Sequence, residues 1–411
     1  MGIKLGEMKG SGPYYGKSLD ELNASISWGP EEEREIERYC EKIHKNIKEE
    51  EMTPMERFKA TMEGKERDRL LVEPFFFPTY ALRTLDGFAD AVKAIDAYVY
   101  PKLLVKSHLA TTARYKLDTM FCAPISYGEN LFGWNSMFIE NGNPVHDGDP
   151  FIKTIEDLEG LEAPDPTKHG MFAQYLWFCQ ETRRIFDKYG LSTLIPIEGS
   201  FCEGPDGFAC SHMVGYNQYL KHLRKNPEFC KKLANLASDW LIKLGTAVSN
   251  LGHVDYSYMC SLVGMYPIKG VEWIAEEYAR IGKAVKAAVK KPIVHAWAFD
   301  GATDWLDELL KAGALGDDSF DGIMCTGDIT RYNTVNDFVH KNNMYGCYAP
   351  SDKLLVSGPM SKIEEEIKGR CDAAKKIPNN RCTIGLGAID YYTTPEHMDA
   401  SVAAARKFAK I

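Results

Sequence analysis

The chain has 411 residues, of which 45% are hydrophobic and 26% charged, and its formal net charge is −9. This composition is typical of a globular protein with one large core. A mildly acidic chain argues against general nucleic-acid binding, which needs clustered Lys and Arg. No apolar run reaches the roughly 20 residues of a membrane helix, and the N-terminus lacks the apolar centre of a signal peptide. We therefore expect a cytoplasmic protein without membrane contact, and we expect its 11 cysteines to be reduced.

The first 49 residues are expected to lie outside the main domain. Residues 1–30 are interpreted as an arm or a surface wrap, and residues 31–49 as a charged helix supported by Glu-to-Lys pairs four positions apart. The segment Thr53-Pro54-Met55-Glu56 is a capping box with proline at the first helical position, so a helix begins there. Since no second folded unit is indicated, one domain is expected over residues 50–411.

From there the chain alternates eight times between short apolar runs and longer helical stretches. Near-continuous apolar runs are typical of parallel strands that are covered on both faces. The pattern predicts an α/β protein, a single (β/α)8 TIM-type barrel, with a site at the carboxyl ends of its strands. An open doubly wound sheet is the alternative, but no glycine-rich phosphate loop follows the first strand. The Gly-, Asn- and Pro-rich stretch 126–170 predicts a β-hairpin excursion after strand two. The candidate strands are 70–77, 118–125, 193–199, 252–259, 291–298, 321–327, 343–349 and 381–388.

Several segments resemble the uroporphyrinogen decarboxylase superfamily, and they occur in that family's order. The resemblance spans about residues 50–411, implies a (β/α)8 barrel, and leaves two main activities open, tetrapyrrole decarboxylation and corrinoid-dependent methyl transfer. The matching segments are TPMERFKATMEGKERDRLLVEPF (53–75), FIKTIEDLEGLEAPDP (151–166), HLRKNPEFCKKLANLASDWL (222–241), KKPIVHAWAFDGATDWLDELLKAGA (290–314), APSDKLLVSGPMSKIEEEIKGRC (349–371) and TIGLGAIDYYTTPEHMDASVAAAR (383–406).

Two departures from the superfamily's motifs narrow the choice. Decarboxylases resemble one another in an arginine-rich motif and an aspartate after the first strand, whereas residues 74–80 here are aromatic and uncharged, with the first arginine at Arg83. A poly-anionic substrate needs charge-assisted Arg contacts. Thiol-methylating members resemble one another in a zinc site, His-x-Cys after strand five plus a Cys after strand eight. This chain has His295-Ala296-Trp297 and Gly385-Leu386-Gly387 there, so only the histidine is retained.

The resemblance and the aromatic strand ends together favour an O-demethylase type of methyltransferase. It would move a methyl group from a small-molecule donor, a methoxylated aromatic compound, to the Co(I) corrinoid of a separate corrinoid-binding protein, because the chain lacks an Asp-x-His-x-x-Gly corrinoid loop. An aromatic pocket suits a planar, weakly polar substrate. The alternatives are a methylcorrinoid:thiol methyltransferase, a decarboxylase and a non-catalytic subunit of a corrinoid complex. The oligomeric state is open, with a homodimer as one alternative.

The candidate site residues lie in or just after the predicted strands. A carboxylate in an apolar strand is costly unless it is paired or binds a metal, and Tyr and His can donate protons. A plain core role is the alternative for each, and the spacing does not establish a metal, although zinc would be the best fit. The predicted catalytic residues are His295, Asp255, Tyr256 and Tyr258; the predicted substrate contacts are Phe75, Phe77, Tyr80, Trp297, Tyr348 and Glu198; the candidate zinc ligands are His295, Asp255, Glu198 and Cys325.

Overall fold

A computed structural model of the chain shows eight parallel strands curled into a nearly closed barrel with helices around it, which confirms the predicted (β/α)8 fold. The structure describes residues 2–85, 93–123, 128, 130–139, 144–261, 272–297, 305–326, 329–389 and 391–411, and it describes the backbone alone at 202, 261, 295–297, 325–326, 329–333, 352 and 388. The strands are β1 Met8–Lys9, β2 Val72–Phe76, β3 Met120–Phe121, β4 Ser136–Met137, β5 Val145–His146, β6 Ile197–Cys202, β7 Tyr256–Ser261, β8 Ile293–Trp297, β9 Gly322–Thr326, β10 Tyr345–Ala349 and β11 Cys382–Ile389.

Helices cover the outer face of the barrel and connect its strands. The barrel strands follow the order β2-β11-β10-β9-β8-β7-β6-β3, so β2 and β3 are the two edges that meet at the seam. The helices are α1 Leu19–Ser25, α2 Pro30–Lys48, α3 Pro54–Met62, α4 Pro78–Ala81, α5 Asp96–Val99, α6 Pro101–Tyr115, α7 Phe172–Lys188, α8 Pro205–Phe208, α9 Tyr216–Lys225, α10 Pro227–Asn250, α11 Trp273–Val289, α12 Leu306–Ala312, α13 Ile329–Lys341, α14 Asp352–Ser357, α15 Met360–Ala374 and α16 Pro395–Phe408.

Helix α3 lies at the amino-terminal end of the barrel and begins at the predicted capping box. The Thr53 hydroxyl accepts from the backbone N–H of Glu56 at 3.2 Å, and the Glu56 carboxylate accepts from the backbone N–H of Thr53 at 2.7 Å. From this helix, Phe58 stacks on Tyr256 of β7 with ring centroids 4.7 Å apart, and Leu71 joins the same buried cluster. The apolar face of α3 therefore closes this end of the barrel.

The C-terminal residues lie at the same end as α3. The backbone N–H of Leu70 donates to the carbonyl of Ala409 at 2.9 Å, and the N–H of Ile411 donates to the carbonyl of Asp68 at 3.2 Å. These bonds attach the end of α16 to the segment that leads into β2. The opposite end, where the parallel strands finish, is left for a functional site.

The N-terminal arm is attached to the barrel through a small three-stranded sheet. Strand β1 pairs in parallel with β4, and β4 pairs antiparallel with β5. The β4–β5 pair is the predicted hairpin excursion after the second barrel strand. Met8, Leu19 and Leu22 of the arm are buried, so residues 2–25 pack against the rest of the chain. Within the described ranges, the structure has no helix that is both long and apolar enough to cross a membrane.

Candidate active site

The register of the strands defines two layers of side chains inside the barrel. In a strand, side chains alternate between the two faces, so residues two positions apart share a face. Glu198 pairs with Tyr256, and two residues further along Ser200 pairs with Tyr258. The first pair belongs to a polar layer near the amino-terminal end. The second belongs to an aromatic layer one step closer to the carboxyl ends.

The aromatic layer consists of Phe75 and Phe77 around β2, Phe121 of β3 and Tyr258 of β7. The ring of Phe75 is 5.7 Å from that of Phe77, 5.6 Å from that of Phe121 and 5.7 Å from that of Tyr258. The rings of Phe121 and Tyr258 stack at 5.9 Å. Tyr258 is fully buried, whereas Phe75 and Phe77 are half-buried, so these two side chains border open space. Such a layer can hold a flat apolar molecule.

Phe76, between these two residues, faces the opposite side. Its ring lies 5.0 Å from the imidazole of His108 on α6, in the layer between the barrel and the helices. The three phenylalanines therefore alternate between the two faces of β2 and its continuation, as successive residues of a strand do. Burial lowers the pKa of His108 to about 3, so this histidine is neutral and belongs to the core.

The polar layer is built around two buried glutamates, Glu73 of β2 and Glu198 of β6. The hydroxyl of Tyr256 lies 2.9 Å from Oε1 of Glu73 and 2.8 Å from Oε2 of Glu198. The other carboxylate oxygen of Glu73 accepts from Tyr345 at 2.5 Å and from Thr383 at 2.7 Å. Residues from five strands thus meet in one hydrogen-bonded cluster.

Glu198 lies in a different place from the predicted one. Because β6 begins at Ile197, this residue is near the amino-terminal start of its strand and 1% exposed. Burial, followed by the charge of Glu73, raises the pKa of Glu198 well above its usual value. The geometry therefore does not support Glu198 as a zinc ligand or a substrate contact at the strand ends.

Asp255 lies at the same, amino-terminal end, immediately before β7. Its carboxylate accepts from Arg183 of α7 at 2.7 Å and from the backbone N–H of Ile197 at 2.8 Å. These bonds hold α7 and the start of β6 together. The expectation that Asp255 follows a strand is therefore wrong, and its position does not support a role in catalysis or metal binding.

Tyr80 and Tyr348 are predicted substrate contacts that the structure places outside the barrel interior. The hydroxyl of Tyr80 is 2.8 Å from that of Tyr115, on α6, and both rings belong to the helix layer. Tyr345 of β10 faces inward to Glu73, so Tyr348, three positions further, faces outward. It hydrogen-bonds Cys382, which pairs with Gly346 on that outer face. Both predictions are corrected.

The side chains of His295, Trp297 and Cys325 lie outside the described part of the structure. Their backbones are in β8 and β9, where Trp297 pairs with Cys325. Their predicted roles in catalysis, substrate binding and zinc ligation stay predictions. Among the residues that the structure describes, it contains no group of three or more His, Cys, Asp or Glu that could hold a metal ion.

The barrel strands contain no residue with a permanently charged basic side chain. As the structure bounds them, the eight strands contain neither Lys nor Arg. Arg83, the first arginine after β2, donates to the backbone carbonyl of Thr393 at 3.1 Å and lies over the ring of Tyr391 at 4.6 Å. Its guanidinium is thus engaged between two neighbouring segments.

The sequence predictions did not include Phe121, Glu73, Tyr345 or Thr383 of these layers. Phe121 contributes a ring to the aromatic layer, and Glu73 and Tyr345 contribute to the polar layer. A signal existed for Glu73, because a carboxylate inside the run LLVEPFFF must find buried partners. Nothing local marks Phe121 or Tyr345, whose partners are distant in sequence.

The protein is a (β/α)8 barrel whose interior is lined by aromatic rings, and its sequence shows to which family it belongs. The model of the uroporphyrinogen decarboxylase (URO-D) family matches residues 53–408, and the chain belongs to that family. No curated protein matches this sequence.

A solved structure has a similar fold. A methyltransferase from Methanosarcina mazei is similar with a TM-score of 0.68 and 18% identity, over 87% of this chain and 99% of that chain. At this identity the likeness shows the fold alone. An endo-beta-1,4-mannanase from Thermotoga petrophila has a TM-score of 0.37 and 9% identity, over 84% of this chain and 77% of that chain, which supports no argument.

Proposed function

We propose that this protein is a methyltransferase that takes a methyl group from a methoxylated aromatic donor and passes it to the Co(I) corrinoid of a separate protein. The observation that carries the proposal is the ring layer of Phe75, Phe77, Phe121 and Tyr258 inside strands without Lys or Arg. Membership of the URO-D family and the likeness to the M. mazei methyltransferase support the class of reaction. The rings support an aromatic donor.

The ring layer would bind the donor and fix its orientation. Aromatic rings prefer offset or edge-on contacts, and the edge-on pair of Phe75 and Phe77 beside open space offers both a face and an edge. A donor held there, with its methoxyl group toward the carboxyl ends, would be aligned for attack from the mouth. Placement of this kind supplies a large part of the rate enhancement in methyl transfer.

The transfer breaks the bond between the methyl carbon and oxygen and forms a bond between that carbon and the cobalt of the partner's corrinoid, which supplies the electron pair. The electron pair of the broken bond stays on the oxygen, which needs a hydrogen bond or a proton. Tyr258 is the phenol in the aromatic layer and is the proposed donor. Tyr256 is not, because its hydroxyl is bound between Glu73 and Glu198.

A zinc ion, which the family resemblance suggested, does not fit the described ligands. Asp255 and Glu198 lie at the amino-terminal end of the barrel and are engaged by Arg183 and Tyr256 respectively. No step of the proposed reaction is derived through a metal ion bound by this chain.

A tetrapyrrole decarboxylase is disfavoured by the same interior. A substrate with many carboxylates needs several Arg or Lys contacts, and the barrel strands supply none. Arg83 is held between Thr393 and Tyr391, at the edge of this region.

The proposal is tested by incubating the purified protein with cob(I)alamin, as a surrogate for the corrinoid protein, and 3-methoxybenzoate under reducing conditions. The expected result is methylation of cobalt, seen in the visible spectrum, together with an equal amount of 3-hydroxybenzoate. Parallel reactions contain methylcobalamin with coenzyme M, or uroporphyrinogen. Thiol methylation without demethylation of the arene, or release of carbon dioxide from the tetrapyrrole, would replace the proposal with one of the alternatives.

A further inference from the structure

We propose that the interior of the barrel contains a proton-binding site, in which the carboxyl group of Glu198 retains a proton. The site consists of Glu73, Tyr256 and Glu198, which we call the carboxyl–phenol chain. It is independent of the proposed methyl transfer, since it lies one layer below the aromatic rings.

The carboxyl–phenol chain has too few hydrogens for its contacts if both glutamates are ionised. The Tyr256 hydroxyl is within 2.9 Å of a Glu73 oxygen and 2.8 Å of a Glu198 oxygen. A phenol has one hydrogen, so it can donate to only one of these carboxyl groups. If both carboxyl groups were ionised, the other contact would bring two oxygens together in a dry interior without a hydrogen between them. One carboxyl group must therefore supply a second hydrogen.

The two carboxyl groups differ in the other hydrogen-bond donors around them. Glu73 has two further hydroxyl partners, Tyr345 at 2.5 Å and Thr383 at 2.7 Å, which also lie 2.9 Å from each other and so bring two hydrogens to three contacts. Glu198 has one further donor, Thr119, at 3.2 Å. Because donated hydrogen bonds favour the ionised form of a carboxyl group, the proton is retained by the group with fewer and longer ones, Glu198. The Glu198 carboxyl therefore donates a hydrogen bond to the Tyr256 oxygen, and the Tyr256 hydroxyl donates one to Glu73.

The surroundings keep the site dry and without a compensating cation. Glu73 and Glu198 are each 1% exposed, and Phe58 of α3 stacks on the Tyr256 ring. In the part of the chain that the structure describes, no Lys, Arg or His lies within ion-pair distance of either glutamate. The titratable groups that face the pair are Tyr256, Tyr345, Cys122 and Cys347. Burial, followed by the charge of Glu73, raises the pKa of Glu198, which agrees with a retained proton.

The retained proton links stability to pH with a definite sign. In the unfolded chain a glutamate loses its proton near a pKa of about 4.3. Because the folded chain keeps this proton to higher pH, the stability that is fully present below the unfolded pKa declines as pH rises toward the folded pKa. Within that window a single group changes the unfolding equilibrium constant by up to about tenfold per pH unit.

The experiment measures urea unfolding at pH 5, 7 and 9 for the wild type and for Glu198→Gln, Glu73→Gln and the exposed control Glu228→Gln. The side-chain amide that E198Q introduces can donate to Tyr256 as the neutral acid does but cannot ionise. As the pH rises, we expect E198Q to become more stable relative to the wild type, by up to about tenfold in the unfolding equilibrium constant per pH unit. We expect E73Q to be less stable by at least about tenfold at pH 5, because its amide offers one acceptor oxygen in place of two, and E228Q to follow the wild type.

Two results would overturn the assignment. If the stability relative to the wild type rises with pH in E73Q but not in E198Q, the proton lies on Glu73. If the stability of all four proteins depends on pH in the same way, no proton is held. Should E73Q fail to fold, infrared spectra of the wild type and E198Q at neutral pH decide the question. The neutral carboxylic acid band must be present in the wild type and absent in E198Q.

Discussion

Arg69 and Asp118 form a two-contact ion pair inside the protein: Nη1 of Arg69 is 2.5 Å from Oδ2 of Asp118, and Nη2 is 2.7 Å from Oδ1. Asp118 also accepts from Arg57 at 3.0 Å and from the backbone N–H of Val72 at 2.8 Å. Val72 begins β2 and Asp118 precedes β3, the two edge strands of the barrel sheet. This carboxylate therefore connects β2 and β3, the two edge strands that meet where the barrel closes.

Replacing Asp118 by Asn should destabilise the fold strongly. The substitution leaves Arg57 and Arg69 buried next to a neutral amide, although Arg57 keeps its ion pairs with Asp68 and Glu50 and Arg69 keeps its ion pair with Glu50. A buried charge left with no partner costs about 3–5 kcal/mol, so we expect about 2–3 kcal/mol here. Urea unfolding measures the effect. The matched control is Glu49→Gln, whose exposed pair with Lys116 at 2.6 Å should contribute less than about 1 kcal/mol. Equal effects of the two substitutions would contradict the role of Asp118 at the seam.

Phe75 and Phe76 are neighbours, but we expect their replacement to affect different properties, ligand binding for Phe75 and stability for Phe76. Phe75→Ala removes a half-buried ring from the aromatic layer, so we expect the Kd for 3-methoxybenzoate to rise about tenfold, which corresponds to about 1.4 kcal/mol. Phe76→Ala leaves a cavity against His108 and should cost about 3–5 kcal/mol of stability. Calorimetric titration and urea unfolding distinguish the two. Weakened ligand binding in folded F76A, with none in F75A, would place the donor on the other side of β2.

Tyr258→Phe should lower kcat for demethylation about 10²-fold or more while leaving KM nearly unchanged, because the ring stays and the hydroxyl that assists the leaving oxygen is lost. Tyr348→Phe is the matched control, since that hydroxyl faces the outside of the barrel toward Cys382. The loss should be smaller for donors that release a more acidic phenol. A uniform loss across such donors would argue that Tyr258 does not assist the leaving group.

His108 should make the protein sensitive to acid. Burial lowers its pKa from 6.5 to about 3 in the folded chain. Its stabilising contribution is therefore fully present above the unfolded pKa and is lost as pH falls from about 6.5 toward 3. The free energy of unfolding of His108→Leu should fall less steeply between pH 6.5 and 4.5 than that of the wild type. His340, which is exposed, provides the control His340→Asn, and identical slopes for H108L and wild type would refute this account.

Gly322 of β9 is expected to tolerate no side chain. A methyl group at this position would meet the backbone carbonyl and the Cβ of Tyr345, whose hydroxyl donates to Glu73. Gly322→Ala should therefore destabilise the fold by about 1–3 kcal/mol, the usual cost of overpacking. Gly29→Ala is the control, because only a Glu32 carboxylate oxygen lies near the added methyl group, at 3.6 Å. If G322A were as stable as the wild type, with the same dependence of stability on pH, β9 and β10 would be able to move apart to accommodate the methyl group.

The eight strands could be predicted from the sequence because each is a short apolar run between well-marked helices. Their boundaries could not. The third and fourth strands begin at Ile197 and Tyr256, four residues later than the predicted 193 and 252. At about 3.3 Å per residue, four residues correspond to about 13 Å, so Glu198 and Asp255 move from one end of the barrel to the other.

Features of the site that depend on local interactions follow from the sequence, whereas those that depend on long-range contacts do not. The alternation along Phe75, Phe76 and Phe77 is a local property that strand geometry alone imposes. The burial of Tyr80 against Tyr115 depends on how α4 meets α6, which the sequence pattern does not encode. The meeting of Glu73 with Tyr256 joins residues 183 positions apart. Such contacts appear only when the barrel closes.

The bonds from Leu70 to Ala409 and from Ile411 to Asp68 hold the last residues beneath the barrel, on the side away from the strand ends. A protein immobilised through a short linker after Ile411 would stand with its mouth toward the solution. A sensor surface prepared in this way would leave that opening accessible to the proposed corrinoid-carrying partner, whereas coupling through Met8 or its neighbours would attach the molecule beside the β4–β5 hairpin.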